Sequence, residues 1–258
     1  MEYHLSYSKL QCFEQCPLKY KFQYIEKKPA KTGKALFLGM TTHAAISEYL
    51  KNSHVGKESN TSDYESCENQ FREAWRVSKR KALSQNDFPF TKDEEIVAGK
   101  TGIAMMKNFV ESQYNKTPHW NEQMVNVTIL RGEVVFWGKI DRVDLTDGAY
   151  SIVDYKTGSY KEKYLDRFQL RVYAWFVRKH GLTPIISTSY YYLEPNVIVE
   201  FPASPEMAEE TENEIETRCT NIIKALSTRE LKPTPSKLCP WCEYVNLCPA
   251  KHLGGKIE

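Results

Sequence analysis

Apolar and polar positions alternate along this chain in two rhythms, and their order predicts helices first, then strands, a helix, two strands and a long last helix. Ser6 can cap a short helix carrying Leu10 and Phe13, which Pro17 ends or bends near Cys16. Helical periodicity of 3.6 residues predicts further helices over about 35–50, 64–83 and 92–114, as a cover laid against the sheet that follows. Between the first two, the polar stretch 51–64 (KNSHVGKESNTSDY) reads as a mobile connector. Period-2 alternation predicts strands over 124–130, 133–141 and 150–156, with Arg131-Gly132 turning the chain between the first two. The pattern then predicts a helix over 161–179, ended by His180-Gly181, and strands over 185–192 and 197–201 joined through Glu194-Pro195-Asn196. Pro205 opens the last helix, whose first turns hold Glu206, Glu209, Glu210 and Glu212, favourable near a helix N-terminus. This order is not the βαβ alternation of a doubly wound fold, and no GxGxxG, GxxxxGK[ST] or HExxH occurs.

The stretch GKIDRVDLTDGAYSIVDYKTG carries the chemistry. Asp147-Gly148 is a strong signal for a two-residue hairpin turn. Pairing Thr146 with Ala149 and counting outward puts Asp141 opposite Asp154, so two carboxylates share one face. Lys156 lies two residues beyond Asp154 and shares that face, whereas Tyr155 points away. Carboxylates facing across a ladder repel unless a cation or proton compensates, and magnesium or manganese prefers oxygen ligands. A solvated, salt-bridged trio is the competing reading. Against it, Ile152 and Val153 lead straight into Asp154, so the charges sit at the rim of an apolar strand. Gly39 and His43, spaced i,i+4, leave room over the turn bearing the imidazole, and Gln169 and Tyr173 are i,i+4 neighbours. Glu133 is a weaker candidate for an extra acidic ligand.

Composition refines this picture. The 258 residues, 41% of them hydrophobic, can bury a substantial core. We expect one domain over 1–258: a mainly helical part over 1–117, a sheet-and-helix core over 118–204 and a cysteine-bearing segment over 205–258. No apolar window reaches the ~18 residues a membrane span needs, and no signal-peptide pattern occurs, so a soluble cytoplasmic protein is expected, with no membrane partner. The net charge of +2 does not by itself announce a nucleic-acid binder. Its distribution is more informative: Lys9, Lys19, Lys21, Lys27, Lys28, Lys31 and Lys34 are interleaved with Phe13, Tyr20, Phe22 and Tyr24, fitting either a phosphate-facing edge or an ordinary solvated helix face. Of seven cysteines, Cys239, Cys242 and Cys248 crowd the C-terminus, Cys12 and Cys16 lie near the start, and Cys67 and Cys219 stand alone. Cys239, Cys242, Cys248 and His252 could form a zinc site. Cys16 with the same three cysteines would suit a [4Fe-4S] cluster or a zinc ion held by four thiolates.

Four motifs in order, Gly39-xxx-His43, Gly138-Lys-Ile-Asp141, Asp154-Tyr-Lys156 and Gln169-xxx-Tyr173, together with Cys16-Pro17 and Cys239-xx-Cys242-xxxxx-Cys248-Pro249, resemble the PD-(D/E)xK nuclease superfamily. The likeness is to its RecB-like branch, which includes Cas4-like exonucleases with an iron–sulfur cluster. The resemblance implies an α/β, restriction-endonuclease-like core: a mixed central sheet flanked by helices, with a helical N-terminal region and a C-terminal cysteine cluster. It also implies a Mg2+- or Mn2+-dependent deoxyribonuclease acting on single strands or DNA ends in repair, recombination or CRISPR adaptation, beside a helicase or an integration partner. The residues matching the family's metal ligands are His43, Asp141 and Asp154. Lys156 matches the residue that orients or deprotonates the attacking water, and Gln169 and Tyr173 match residues supporting the site. Cys16, Cys239, Cys242 and Cys248 match the [4Fe-4S] ligands, Cys12 being a substitute and zinc the alternative. The first-motif carboxylate that some relatives carry in their helical region has no counterpart, and His43 takes that position. A non-catalytic nucleic-acid-binding or scaffolding module on the same fold is the other functional reading. Retention of Asp141, Asp154 and Lys156 argues against it.

Overall fold

The computed structural model describes residues 2–52, 61–205 and 207–251. His252, Glu206 and 53–60 of the connector lie outside the described residues. In chain order the elements are β1 (Tyr3–Ser6), α1 (Tyr7–Gln15), α2 (Pro17–Tyr20) running into a π turn over Lys21–Ile25, α3 (Lys34–Asn52), α4 (Thr61–Ser84) and α5 (Lys92–Glu111). Then come β2 (Trp120–Ile129), β3 (Val134–Thr146), β4 (Ala149–Lys156), α6 (Arg167–Lys179), β5 (Ile185–Tyr192), β6 (Val197–Pro202) and α7 (Met207–Thr228). Packing divides the chain into two units, one of 1–31, 126–138 and 209–258, the other of 32–125 and 139–208.

The second unit is built on a mixed sheet. β3 and β4 are antiparallel, with Thr146 opposite Ala149 and Arg142 opposite Val153. The hairpin closes through Asp147 and Gly148 at φ 51° and 77°, both in the left-handed region that the Asp-Gly pair tolerates. β4 then runs parallel to β5, placing Asp154 beside Tyr190 and Lys156 beside Tyr192, and β5 is antiparallel to β6. Period-2 alternation sorts these strands between two faces. Val153, Tyr155, Tyr191 and Leu193 pack with Ile46, Phe71, Met105 and Phe109 of α3, α4 and α5. Tyr190 and Tyr192 face the opposite way and pack with Leu170 of α6. The sheet is thus flanked by helices on both faces, and Asp154 and Lys156 belong to the α6 side.

Two expectations about helix bounds are corrected. The predicted helix over 161–179 begins only at Arg167, because Asp166 caps it by accepting hydrogen bonds from the Phe168 and Gln169 amides at 3.0 and 3.3 Å. A separate 3-10 turn occupies Glu162–Tyr164. The helix predicted to reach 114 ends at Glu111, where Ser112 adopts extended backbone.

In the first unit, β1 pairs in parallel with the start of β3, Tyr3 opposite Val134 and Ser6 opposite Trp137. Four residues are too few for alternation to announce a strand, so β1 was not legible in the pattern. Pro17 does what its ring dictates: α1 stops at Gln15, Cys16 is extended, and Pro17 starts α2. Leu18, Phe22 and Tyr244 form a small core against which Cys16, Cys242 and Cys248 pack. Three of the seven interleaved lysines are ion-paired within this unit: Lys19 with Glu243 at 3.0 Å, and Lys21 and Lys28 with Glu26 at 3.2 and 3.1 Å.

Candidate active site

The hairpin register brings together the residues that the sequence singled out. Asp141 and Asp154 are both buried within the second unit, at 6% and 3% exposure. Asp141 lies one residue beyond the Arg142–Val153 pair, and its Oδ2 accepts the Tyr155 amide at 2.9 Å. The carboxylate thereby occupies the position where the ladder would have placed a carbonyl.

The Asp154 side is a closed polar network. Lys156 Nζ lies 2.7 Å from Asp154 Oδ2 and donates to Gln169 Oε1 at 3.0 Å. The Gln169 amide nitrogen donates to Asp154 Oδ1 at 3.1 Å and to the Tyr173 hydroxyl at 2.9 Å. Tyr190, which the sequence reading missed, donates to the Asp166 carbonyl at 2.6 Å and meets Gln169 Oε1 at 3.1 Å. Its ring lies under Lys156 Nζ, 4.8 Å from the centroid. The only advance signal was its place in the tyrosine run SYYY, at the same side-chain parity as Tyr192.

The Asp141 side carries the imidazole. His43 Nδ1 lies 3.4 Å from both Asp141 Oδ1 and Glu122 Oε1, while Nε2 meets the Tyr155 carbonyl at 3.1 Å. The motif Gly39-xxx-His43 acquires a different reason here: a Cβ on Gly39 would stand 3.2 Å from Thr157 Oγ1, so the glycine admits the end of β4 and does not make room over the imidazole. Glu122 is the acidic residue that sequence reasoning missed. It lies in β2 at φ 53°, and Lys139 ion-pairs with its other oxygen. Nothing in the local pattern distinguishes Glu122 from a surface strand residue. Among the described residues, His43, Glu122 and Asp141 form the group whose ligand atoms lie within 4.8 Å of one another, and Glu133 is not part of it. Asp154 lies outside that group, and its oxygens face Lys156 and Gln169.

Electrostatics separates the two carboxylates. Burial opposes charge on Asp141, but the His43 imidazole, the Tyr155 amide and Lys156 outweigh it and hold the pKa below the ordinary value. Burial raises Asp154 to about 6, Lys156 opposing and the Asp141 charge adding to the rise. Burial would also depress His43, yet Asp141 and then Glu122 overcome it and lift the imidazole to about 10. Tyr173 remains a phenol, its pKa pushed well up by burial and by the neighbouring carboxylates. In this state a proton on His43 and the ammonium of Lys156 do the neutralising that a divalent cation would do. Glu122 Oε1 faces His43 Nδ1 at 3.4 Å and Asp154 Oδ2 faces Lys156 Nζ at 2.7 Å, so both buried oxygens are neutralised by ion pairs that a divalent cation could replace. Oxygen donors with one imidazole suit Mg2+ or Mn2+.

In the first unit, Cys16, Cys239, Cys242 and Cys248 line one cavity of about 150 Å³. Cys16 Sγ accepts the Thr234 amide at 3.4 Å, and Cys239 Sγ accepts the Ser236 amide at 3.2 Å. Cys12 donates to Gln23 at 3.5 Å and lines a different cavity. Cys67 and Cys219 are buried, and burial raises their thiols to about 11 and about 12. No helix among the described residues is long and apolar enough to cross a membrane.

A search of curated proteins finds no match. Among solved structures, the chain is similar to a candidate exonuclease of Eubacterium rectale, with a TM-score of 0.60 at 14% identity over 94% of this chain and 88% of that one. It is also similar to SSO0001, with a TM-score of 0.37 at 20% identity over 83% of this chain and 98% of that one. The first likeness shows a shared fold. The family model of the PD-(D/E)XK nuclease superfamily matches residues 4–249, nearly the whole chain, and the chain belongs to that superfamily.

Proposed function

We propose that this nuclease is a Mg2+- or Mn2+-dependent deoxyribonuclease that hydrolyses phosphodiester bonds at single strands or DNA ends, on the RecB-like, iron–sulfur branch of its superfamily. The observation that carries the reading is the buried pair Asp141 and Asp154 with the partly exposed Lys156, His43 lying against one carboxylate and Gln169 against the other. His43, Asp141 and Asp154 would hold the cation. When bound, it supplies Lewis acidity toward a phosphodiester oxygen and acidifies a water.

The protein's own groups do the rest. Lys156 projects from the α6 side of the sheet, held by the Gln169 carbonyl and the Tyr190 ring, and serves to orient or deprotonate the attacking water. Gln169 holds Asp154 Oδ1, and Oδ2, now ion-paired with Lys156, is the oxygen that would turn to the cation. Tyr173 anchors the Gln169 amide. Asp154→Ala should abolish cleavage while leaving the fold intact, read by gel assay and circular dichroism. Full activity in that variant overturns the assignment.

The four cysteines are proposed to hold a [4Fe-4S] cluster joining the two ends of the chain, which already share one unit. All four line one cavity of about 150 Å³ in the first unit, and four thiolates suit either a [4Fe-4S] cluster or zinc, the alternative occupant. Anaerobically purified protein should be brown, with broad visible charge-transfer absorption and iron on metal analysis. Colourless protein with stoichiometric zinc contradicts this.

A further inference from the structure

The second unit contains a groove of about 680 Å³ whose lining combines two chemistries. His43, Glu122 and Lys139 bring the polar edge of the metal-ligand group, and Ser47 and Glu48 continue the polar lining along α3. Leu36 and Met40, one turn apart on α3, supply an apolar wall. These two side chains are 59% and 54% exposed, on a helix whose Phe37, Ala45 and Ile46 are fully buried. Apolar side chains left in water one turn from a charged site call for an occupant. Scattered exposed apolar residues are ordinary, but these two lie on the wall of the same groove as the metal-ligand cluster.

We propose that Leu36 and Met40 form a nucleobase subsite, on which the base flanking the scissile phosphate packs while its phosphate faces His43, Glu122 and Lys139. The inference rests on the nuclease reading and deepens it, because it states what the site requires of its substrate. A nucleotide is the ligand whose halves match the groove, with an apolar face a few ångströms from an anion. Lys139 is half exposed and pairs with Glu122 at the rim of the groove, from where its ammonium can turn toward a phosphate. The volume lies within the range of sites for a single small ligand and is far below what a duplex needs. A base can reach the apolar wall only if it has left its stack and its partner, so the subsite selects unpaired nucleotides. Gly39 between Leu36 and Met40 keeps this face of α3 low, and its neighbour Thr157 closes the groove from β4.

The test compares a fluorescein-labelled oligothymidylate with a labelled oligomer of the same length made of abasic deoxyribose phosphates. Binding to the whole protein is read by anisotropy in Ca2+, which keeps the phosphate site filled without turnover. Leu36→Ser/Met40→Ser should weaken oligothymidylate about 10-fold and leave the abasic oligomer within about twofold. Both residues are exposed, and retained binding of the abasic oligomer shows that the variant is folded. Equal weakening of both oligomers would mean contact with the backbone, and no weakening of either would assign the apolar wall to another occupant; each overturns the proposal. Replacing Ca2+ with Mn2+ in the same wild-type samples reads cleavage separately. Absence of cleavage strikes the nuclease reading, while the base dependence of binding still decides the groove.

Discussion

Gln169 uses both ends of its amide: the carbonyl takes Lys156 and Tyr190, and the nitrogen gives to Asp154 and Tyr173. A flip would set the NH2 against an ammonium and the carbonyl against a carboxylate. Lys156 and Asp154 oppose that flip, and Tyr190 shares its one hydroxyl proton between the Asp166 carbonyl and Gln169 Oε1, tying the amide to the start of α6; Tyr190→Phe should therefore lower kcat about 10-fold with KM changed less than twofold, in steady-state cleavage of a labelled oligonucleotide. His43 provides a second residue-scale expectation. In chelator-treated protein its pKa is raised from 6.5 to about 10, so the folded state binds the proton more tightly than the unfolded one. That stabilisation is fully present below about pH 6.5 and is lost as pH rises through about 10. Thermal melts in chelator should therefore show wild type more stable than His43→Gln at neutral pH, with the difference vanishing in strong alkali. A constant difference across that range contradicts the account. Asp141, Asp154 and Lys156 were legible because side-chain parity along a hairpin is fixed by its turn. Glu122 and Tyr190 were not, because each joins the site through the pairing of separate strands, which no local pattern encodes.

At the level of elements, the helices were legible by periodicity but not all of their bounds: Asp166 starts α6 later than periodicity predicts, and α5 stops at Glu111. Thr91 and Glu94 cap α5 reciprocally, and Gly181, expected with His180 to end α6, follows its C-cap at φ 80°. What periodicity could not say is how closely two helices approach. Gly102 of α5 lies against Phe71 of α4, so near that any Cβ would collide with the ring. Phe71 is fully buried and packed with Trp75, so its ring can yield only by disturbing that packing. Gly102→Ala should therefore destabilise the protein by about 1–3 kcal/mol despite the better helix propensity of alanine, as measured by denaturant unfolding. Gly99, with open space around it, offers the control: Gly99→Ala should be neutral or mildly stabilising. A stabilised Gly102→Ala would show that the α4–α5 contact is looser than described.

For the molecule as a whole, the class of fold could be read from element order, since strands following a helical region and interrupted by one helix leave few topologies. The parallel pairing of β4 with β5, and of β1 with β3, could not, because parallel partners are separated by a crossover and leave no turn signal. The joining of residues 1–31 to 209–258 in one unit was visible only through the split cysteine motif. If a cluster supports that unit, Cys239→Ala should bleach the visible absorption and lower the melting temperature, read by absorbance and calorimetry. The measurement that bears most directly on the central claim follows end-labelled single-stranded DNA with wild-type protein, Asp141→Ala and Lys156→Ala, in Mn2+ and in chelator. The account predicts progressive shortening of the strand by wild type in Mn2+, and none in chelator or with either variant. Cleavage that survives chelation, or that both variants retain at the wild-type rate, would contradict it.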